Sequence, residues 1–191
     1  MKQSSRTFVA VEIDEAVRRR AAELIKLLSQ GTSDVRWVEP HNMHLTLKFL
    51  GEVPLGEIPR VCEAVRRGAE EVAPFSFAFI RAGAFPHPGR PRTLWLGSGD
   101  EEQSATTLYK AVDQRLRKLG FRSENRKFVP HLTIGRVRRG GPGLATLSRL
   151  LSEHAQFDAG TTAVREVTVF SSELSSDGPA YTPLGRAELG G

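Results

Sequence analysis

One cysteine, Cys62, stands in the whole 191-residue chain. An internal disulfide is therefore impossible, and nothing in the chain exploits an oxidising compartment. Apolar residues nowhere run together for the roughly 18 positions that a membrane-spanning helix needs, and the opening MKQSSRTFVAVEID lacks the apolar centre of a signal peptide. A cytoplasmic chain that stays out of membranes is the expectation. Also missing are paired Cys-x-x-Cys ligands, a carboxylate cluster suited to a metal, and a Gly-rich loop ending in Lys-Ser or Lys-Thr. On these absences the chain is expected to use neither a metal nor a cofactor.

What is present is an ordinary globular composition, 39% hydrophobic and 26% charged. At this length it suffices to bury a core, so residues 1–191 are expected to form one compact domain and to act as a monomer. Lys and Arg total 27 against 22 for Asp and Glu, a net charge of +5. That surplus mildly favours a polyanionic partner such as RNA, although an Arg-rich surface explains it equally well.

Periodicity predicts a strand over 7–13 and then a helix to residue 29, capped by Asp14, with Ala16, Val17, Leu24, Ile25, Leu27 and Leu28 as its apolar stripe. An extended piece follows at 35–38, a break at 40–42 and a strand over 43–50. Beyond it come a helix over 58–72, an apolar β run at 75–80, a strand at 93–97, a helix over 101–119 and a strand at 131–137. A short helix at 144–154, a strand at 165–171 and an extended piece at 181–184 complete the chain. Helices and strands are mixed without regular βαβ order, which favours an α+β arrangement of antiparallel sheets flanked by helices over a doubly wound parallel sheet.

The informative feature is a duplicated tetrapeptide: His44-Leu45-Thr46-Leu47 and His131-Leu132-Thr133-Ile134, each on a predicted strand. Five histidines in the chain make even one such motif by chance uncommon. Side chains alternate along a strand, so each motif offers an imidazole and a hydroxyl on one face and two apolar side chains on the other. Brought together across a cleft, the two faces would surround something the size of a phosphate. In-line displacement at phosphorus needs a proton acceptor on one side and a donor on the other. Two imidazoles near their ordinary pKa can divide those roles, while threonine hydroxyls bind the non-bridging oxygens. A strained 2′,3′-cyclic phosphate needs no metal for this. The plainer reading, a histidine packed at a sheet edge against its own threonine, serves for one motif and explains a matched pair poorly.

These motifs resemble the paired signatures of the 2H phosphoesterase superfamily, and its RNA 2′,3′-cyclic phosphodiesterase branch, once called 2′-5′ RNA ligases. Lys48-Phe49-Leu50-Gly51-Glu52, Arg92-Thr93-Leu94-Trp95-Leu96-Gly97 and Phe128-Val129-Pro130 are similar to that branch as well. The resemblance implies two pseudo-symmetric lobes around a central cleft, each supplying one motif. It implies hydrolysis of RNA ends or nucleoside 2′,3′-cyclic phosphates to 2′-phosphomonoesters, with Thr46 and Thr133 on the phosphate. It also implies that His44 protonates the leaving O3′ and His131 accepts a proton from water.

Around the motifs, Arg126, Lys127, Arg136, Arg138 and Arg139 are candidate contacts for RNA phosphates, with a solvated strand end as the plainer account. Phe49, Trp37 and Phe85 have the aromatic faces to stack a base, yet core packing is the stronger expectation for all three. Ligation of tRNA halves through a 2′-5′ bond would use the same site with a 5′-hydroxyl in place of water. A non-catalytic RNA-binding module and a metal site on His41, His44 and His131 are the remaining alternatives.

Overall fold

The protein is described from a computed structural model covering residues 3–31, 34–98, 102–125, 127–138, 141, 143–175 and 178–190. In chain order the first half contains β1 (Ser4–Glu12), α1 (Glu15–Ser29), β2 (Val35–Trp37), β3 (His44–Pro54), α2 (Ile58–Ala69), β4 (Phe75–Ala78) and β5 (Arg81–Phe85). The second half contains β6 (Thr93–Gly97), α3 (Glu102–Arg117), β7 (His131–Val137), α4 (Gly143–Glu153), β8 (Thr161–Val164), β9 (Glu166–Ser175) and β10 (Gly178–Glu188). The eight-stranded sheet has the order β10-β9-β1-β3-β7-β6-β5, with β2 added to β7, while β4 and β8 pair separately. All these pairings are antiparallel. The α+β expectation holds.

The order of elements reveals two halves built alike. β1–α1–β3 is repeated as β6–α3–β7, and in each triplet the first strand lies antiparallel beside the last. The strands that follow then cross over: β5 of the first half pairs with β6, and β9 of the second half pairs with β1. Each lobe thus contains strands from the other half, β9 and β10 on one side and β5 and β2 on the other, and the two motif strands, β3 and β7, meet at the centre.

The 75–80 run predicted as one strand is β4 only as far as Ala78, and β5, which the sequence reading lacks, begins at Arg81. Phe79 N–H donates to the Gly160 carbonyl while the next residue, Ile80, donates to Gly97, so the chain leaves one sheet for the other between neighbouring residues. The second half repeats the switch at Arg165, between β8, which the sequence reading lacks, and β9, to which the predicted 165–171 strand corresponds.

Helix α1 buries Val17, Ala21, Leu24 and Leu28 against the sheet, whereas Ala16 and Leu27 fall outside that stripe and are exposed. Asp14 sits at its N-cap position without capping it: its carboxylate accepts from Ala163 N–H, and its own N–H donates to Thr162 Oγ1. The predicted cap is instead a clamp to β8. Leu45 and Leu47 of the first motif and Leu132 and Ile134 of the second are buried, as the alternation requires of them. Among the described residues no helix is long and apolar enough to cross a membrane.

Candidate active site

The two motif strands pair through Leu45 and Leu132 alone. Carried one residue either way, that register sets His44 opposite Thr133 and Thr46 opposite His131. Because the ladder is a single pair, the lobes diverge on either side of it, and a cleft of ≈ 1840 Å³ opens over the four side chains. The histidines therefore stand at the middle of the sheet, and the sheet-edge packing account does not describe them.

Both imidazoles are held the same way. Nδ1 of His44 lies 2.8 Å from the carbonyl of Asn42, and Nδ1 of His131 lies 2.7 Å from that of Val129, in each case two residues upstream. A carbonyl oxygen can only accept, so Nδ1 carries the proton in both rings, and Nε2 is the atom of variable protonation. Among the described residues, the hydroxyls of Thr46 and Thr133 make no hydrogen bond within the protein. They remain available to a ligand.

The two rings differ in surroundings. His44 stacks on Phe8 with centroids 4.8 Å apart, meets the edge of Tyr181 at 5.2 Å, and has Phe170 at 6.3 Å. Burial among these rings lowers its pKa from the ordinary 6.5 to about 4; the Asn42 carbonyl opposes that shift and the Arg18 charge adds to it. His131 is met edge-on by Phe85 at 5.0 Å. Local strand pattern places Phe8 on β1 but contains nothing that would associate Phe8, Phe170 and Tyr181 with His44, so sequence reasoning missed this aromatic wall.

A β-bulge falls at the fourth residue of each motif. Val9 pairs with Lys48 and Ala10 with Thr46, leaving Leu47 without an opposite; Leu94 pairs with Gly135 and Trp95 with Thr133, leaving Ile134 without one. An extra residue reverses the facing of everything after it. Strict alternation would put Lys48 in the cleft beside Thr46. Instead Lys48 points the other way, 1% exposed, where Nζ donates to Asp113 Oδ1 at 2.6 Å and to the Arg122 carbonyl at 2.7 Å. Asp113 also accepts from Ser123 Oγ, and the group ties β3 to α3.

The same reversal turns Phe49 into the cleft, 54% exposed, which overturns its expected core packing. Arg136 is exposed on the cleft as well. Trp37 and Phe85 are half-buried, the first seated on Gly135 and the second between Trp95 and His131. Arg126 and Arg139 lie outside the described residues. His41 is exposed on a short 3-10 turn, and among the described residues no three His, Cys, Asp or Glu side chains gather as a metal site.

Comparison with known proteins decides the family. The profile of LigT like phosphoesterases matches twice, over residues 11–95 and 96–181, with one motif at a similar depth in each match. The chain belongs to the LigT like phosphoesterase family. This LigT-like phosphoesterase is 41% identical to an RNA 2′,3′-cyclic phosphodiesterase of Archaeoglobus fulgidus over 94% of its own length and 97% of the relative's. It is 35% identical to one of Thermotoga maritima over 97% and 96%. Among solved structures, a Thermus thermophilus protein superposes with a TM-score of 0.79 at 28% identity, covering 97% of this chain and 98% of that one. Escherichia coli LigT in complex with 3′-AMP superposes with 0.77 at 24% identity, covering 98% and 99%, and shares the fold. The pseudo-symmetric two-lobed architecture that the resemblance implies is that of the LigT-like phosphoesterases.

Proposed function

We propose that this LigT-like phosphoesterase hydrolyses 2′,3′-cyclic phosphates at RNA ends to 2′-phosphomonoesters without a metal. In this reading His44 and His131 move the protons, and Thr46 and Thr133 hold the phosphoryl oxygens. The observation that carries it is the register of Leu45 on Leu132, which sets the imidazoles diagonally across one opening with a hydroxyl opposite each. Relatives named RNA 2′,3′-cyclic phosphodiesterases, matched over nearly the whole chain, support the choice of substrate.

Water attacks phosphorus as the bond from phosphorus to O3′ breaks. One proton passes from water to Nε2 of His131, and another from Nε2 of His44 to O3′, as the resemblance implies. The charge that gathers on the non-bridging oxygens is met by the threonine hydroxyls. The lowered pKa of His44 adds a condition: with no anion beside it the ring is neutral at neutral pH. A bound phosphate favours the imidazolium and brings the donor into its working state. Phe49 would stack a base and Arg136 meet a backbone phosphate.

The test is direct. In EDTA the purified protein should open a nucleoside 2′,3′-cyclic phosphate to the 2′-nucleotide with a bell-shaped pH dependence, and His44→Ala or His131→Ala should each lower kcat by about 10²–10⁴. Turnover that survives either change, or that disappears in chelator, overturns the reading.

A further inference from the structure

Beyond the four motif side chains, the cleft holds a cluster of positive charge that ring opening does not use. Arg36 on β2 lies directly opposite Arg136 on β7. Like charges facing each other across a strand pair are destabilising. Nevertheless, among the described residues, neither forms an ion pair; Arg136 reaches only Thr93 Oγ1, at 3.5 Å. Arg6 shares the cleft face of β1 with Phe8 and lies opposite Glu52, yet among those residues it forms no ion pair with it; the Glu52 carboxylate accepts from Ser4 Oγ instead. All three line the same cleft as Tyr181, and their charges act on its phenol. Burial raises the pKa of the Tyr181 phenol, and the charges of Arg136, Arg36 and Arg6 pull it back down.

Tyr181 is the ring that meets His44 edge-on. The Arg36 guanidinium reaches the start of β10, the strand that carries Tyr181, passing 3.7 Å from where a Cβ on Gly178 would lie. Asn42, whose carbonyl orients His44, fastens the same strand by donating Nδ2–H to the Pro179 carbonyl at 3.0 Å. Unneutralised guanidiniums and a phenol hydroxyl thus stand next to the reacting imidazole, held by the residues that position it. An anion among them would relieve the repulsion between the opposed arginines.

We infer that Arg6, Arg36 and the Tyr181 hydroxyl form a second phosphate subsite, which takes the phosphodiester joining the terminal nucleotide to the rest of an RNA strand. The inference rests on the proposed hydrolysis and adds its substrate class: oligonucleotide ends in preference to free cyclic nucleotides. A cyclic phosphate lies at the 3′ terminus, so the neighbouring phosphate is the one on its 5′ side. Guanidiniums read its charge and a phenol its oxygen, without regard to base.

Three substrates test this: a nucleoside 2′,3′-cyclic phosphate, a dinucleotide ending in the same group, and that dinucleotide with an uncharged methylphosphonate linkage. The charged dinucleotide should exceed the other two in kcat/KM by about tenfold or more, an advantage that shrinks as salt rises. Arg36→Ala and Arg6→Ala should each remove most of the advantage by raising KM for the charged dinucleotide, while the cyclic nucleotide stays within about twofold. Equal rates on charged and uncharged dinucleotides, or variants that slow all three substrates alike, overturn the subsite and leave the hydrolase reading standing. Failure of the unaltered protein on every substrate removes the hydrolase reading itself.

Discussion

Phe49 and Arg136 occupy equivalent places in the two halves. Each follows its motif histidine at the same spacing, and each is turned into the cleft by a bulge at the fourth motif residue. A frame that is nearly symmetric in backbone therefore presents an aromatic face on one side and a guanidinium on the other.

That difference should separate in salt. Phe49→Ala is expected to weaken the use of a cyclic-phosphate oligonucleotide by about 1–3 kcal/mol, with the salt dependence unchanged. Arg136→Ala should reduce the slope of log kcat/KM against log salt by about 0.7, the contribution of one phosphate contact on a single strand. Kinetics across a salt series checks both, and identical slopes for the two variants would contradict the assignment.

The aromatic wall around His44 makes the site sensitive to pH. With the folded pKa near 4 and the ordinary value at 6.5, the folded protein binds fewer protons than the unfolded chain between those limits. Stability should consequently be retained above about pH 6.5 and decline as pH falls toward 4, by up to about 1.4 kcal/mol per pH unit from this group. His44→Gln should flatten that part of a urea-midpoint curve. In imidazole NMR the His44 midpoint should lie near 4 and move upward when a 2′-nucleotide is added. A midpoint that stays put would remove the role of the bound anion.

The donor and acceptor can be told apart by the leaving group. An aryl phosphodiester expels a phenolate that needs no proton, so His44→Ala should keep most of its activity on that substrate while His131→Ala loses it. The reverse pattern would exchange the two roles.

Lys48 and Asp113 offer a stability test away from the cleft. Lys48→Met leaves a carboxylate with little exposure and no cation, and should cost about 3–5 kcal/mol; adding Asp113→Leu should return much of it. Denaturant unfolding of the single and double variants decides, and strictly additive losses would show that the pair is not coupled.

The motif strands, the helices between them and the four side chains over the cleft are all legible in local pattern, because alternation and 3.6-residue periodicity report directly which face is buried. What stays hidden depends on distant partners. Lys48 sits next to Thr46 in alternation, yet a bulge defined only by pairing with β1 sends it to Asp113. Phe49 departs from its expected place for the same reason. The break between Phe79 and Ile80 has no turn residue to announce it; two carbonyls far along the chain, Gly160 and Gly97, draw neighbouring amides into different sheets. Phe8, Phe170 and Tyr181 come from three strands, and only the sheet order gathers them at His44.

The crossing of β5 and β9 bears on how such a chain can have arisen. Either half alone would lack the strand that completes its own lobe while carrying one meant for another, an arrangement that two identical copies can complete by mutual exchange. A homodimer of that kind would place two copies of one histidine about its axis. Joining the copies in one polypeptide lets the two imidazoles acquire different surroundings, Phe8, Phe170 and Tyr181 about His44 and the edge of Phe85 at His131.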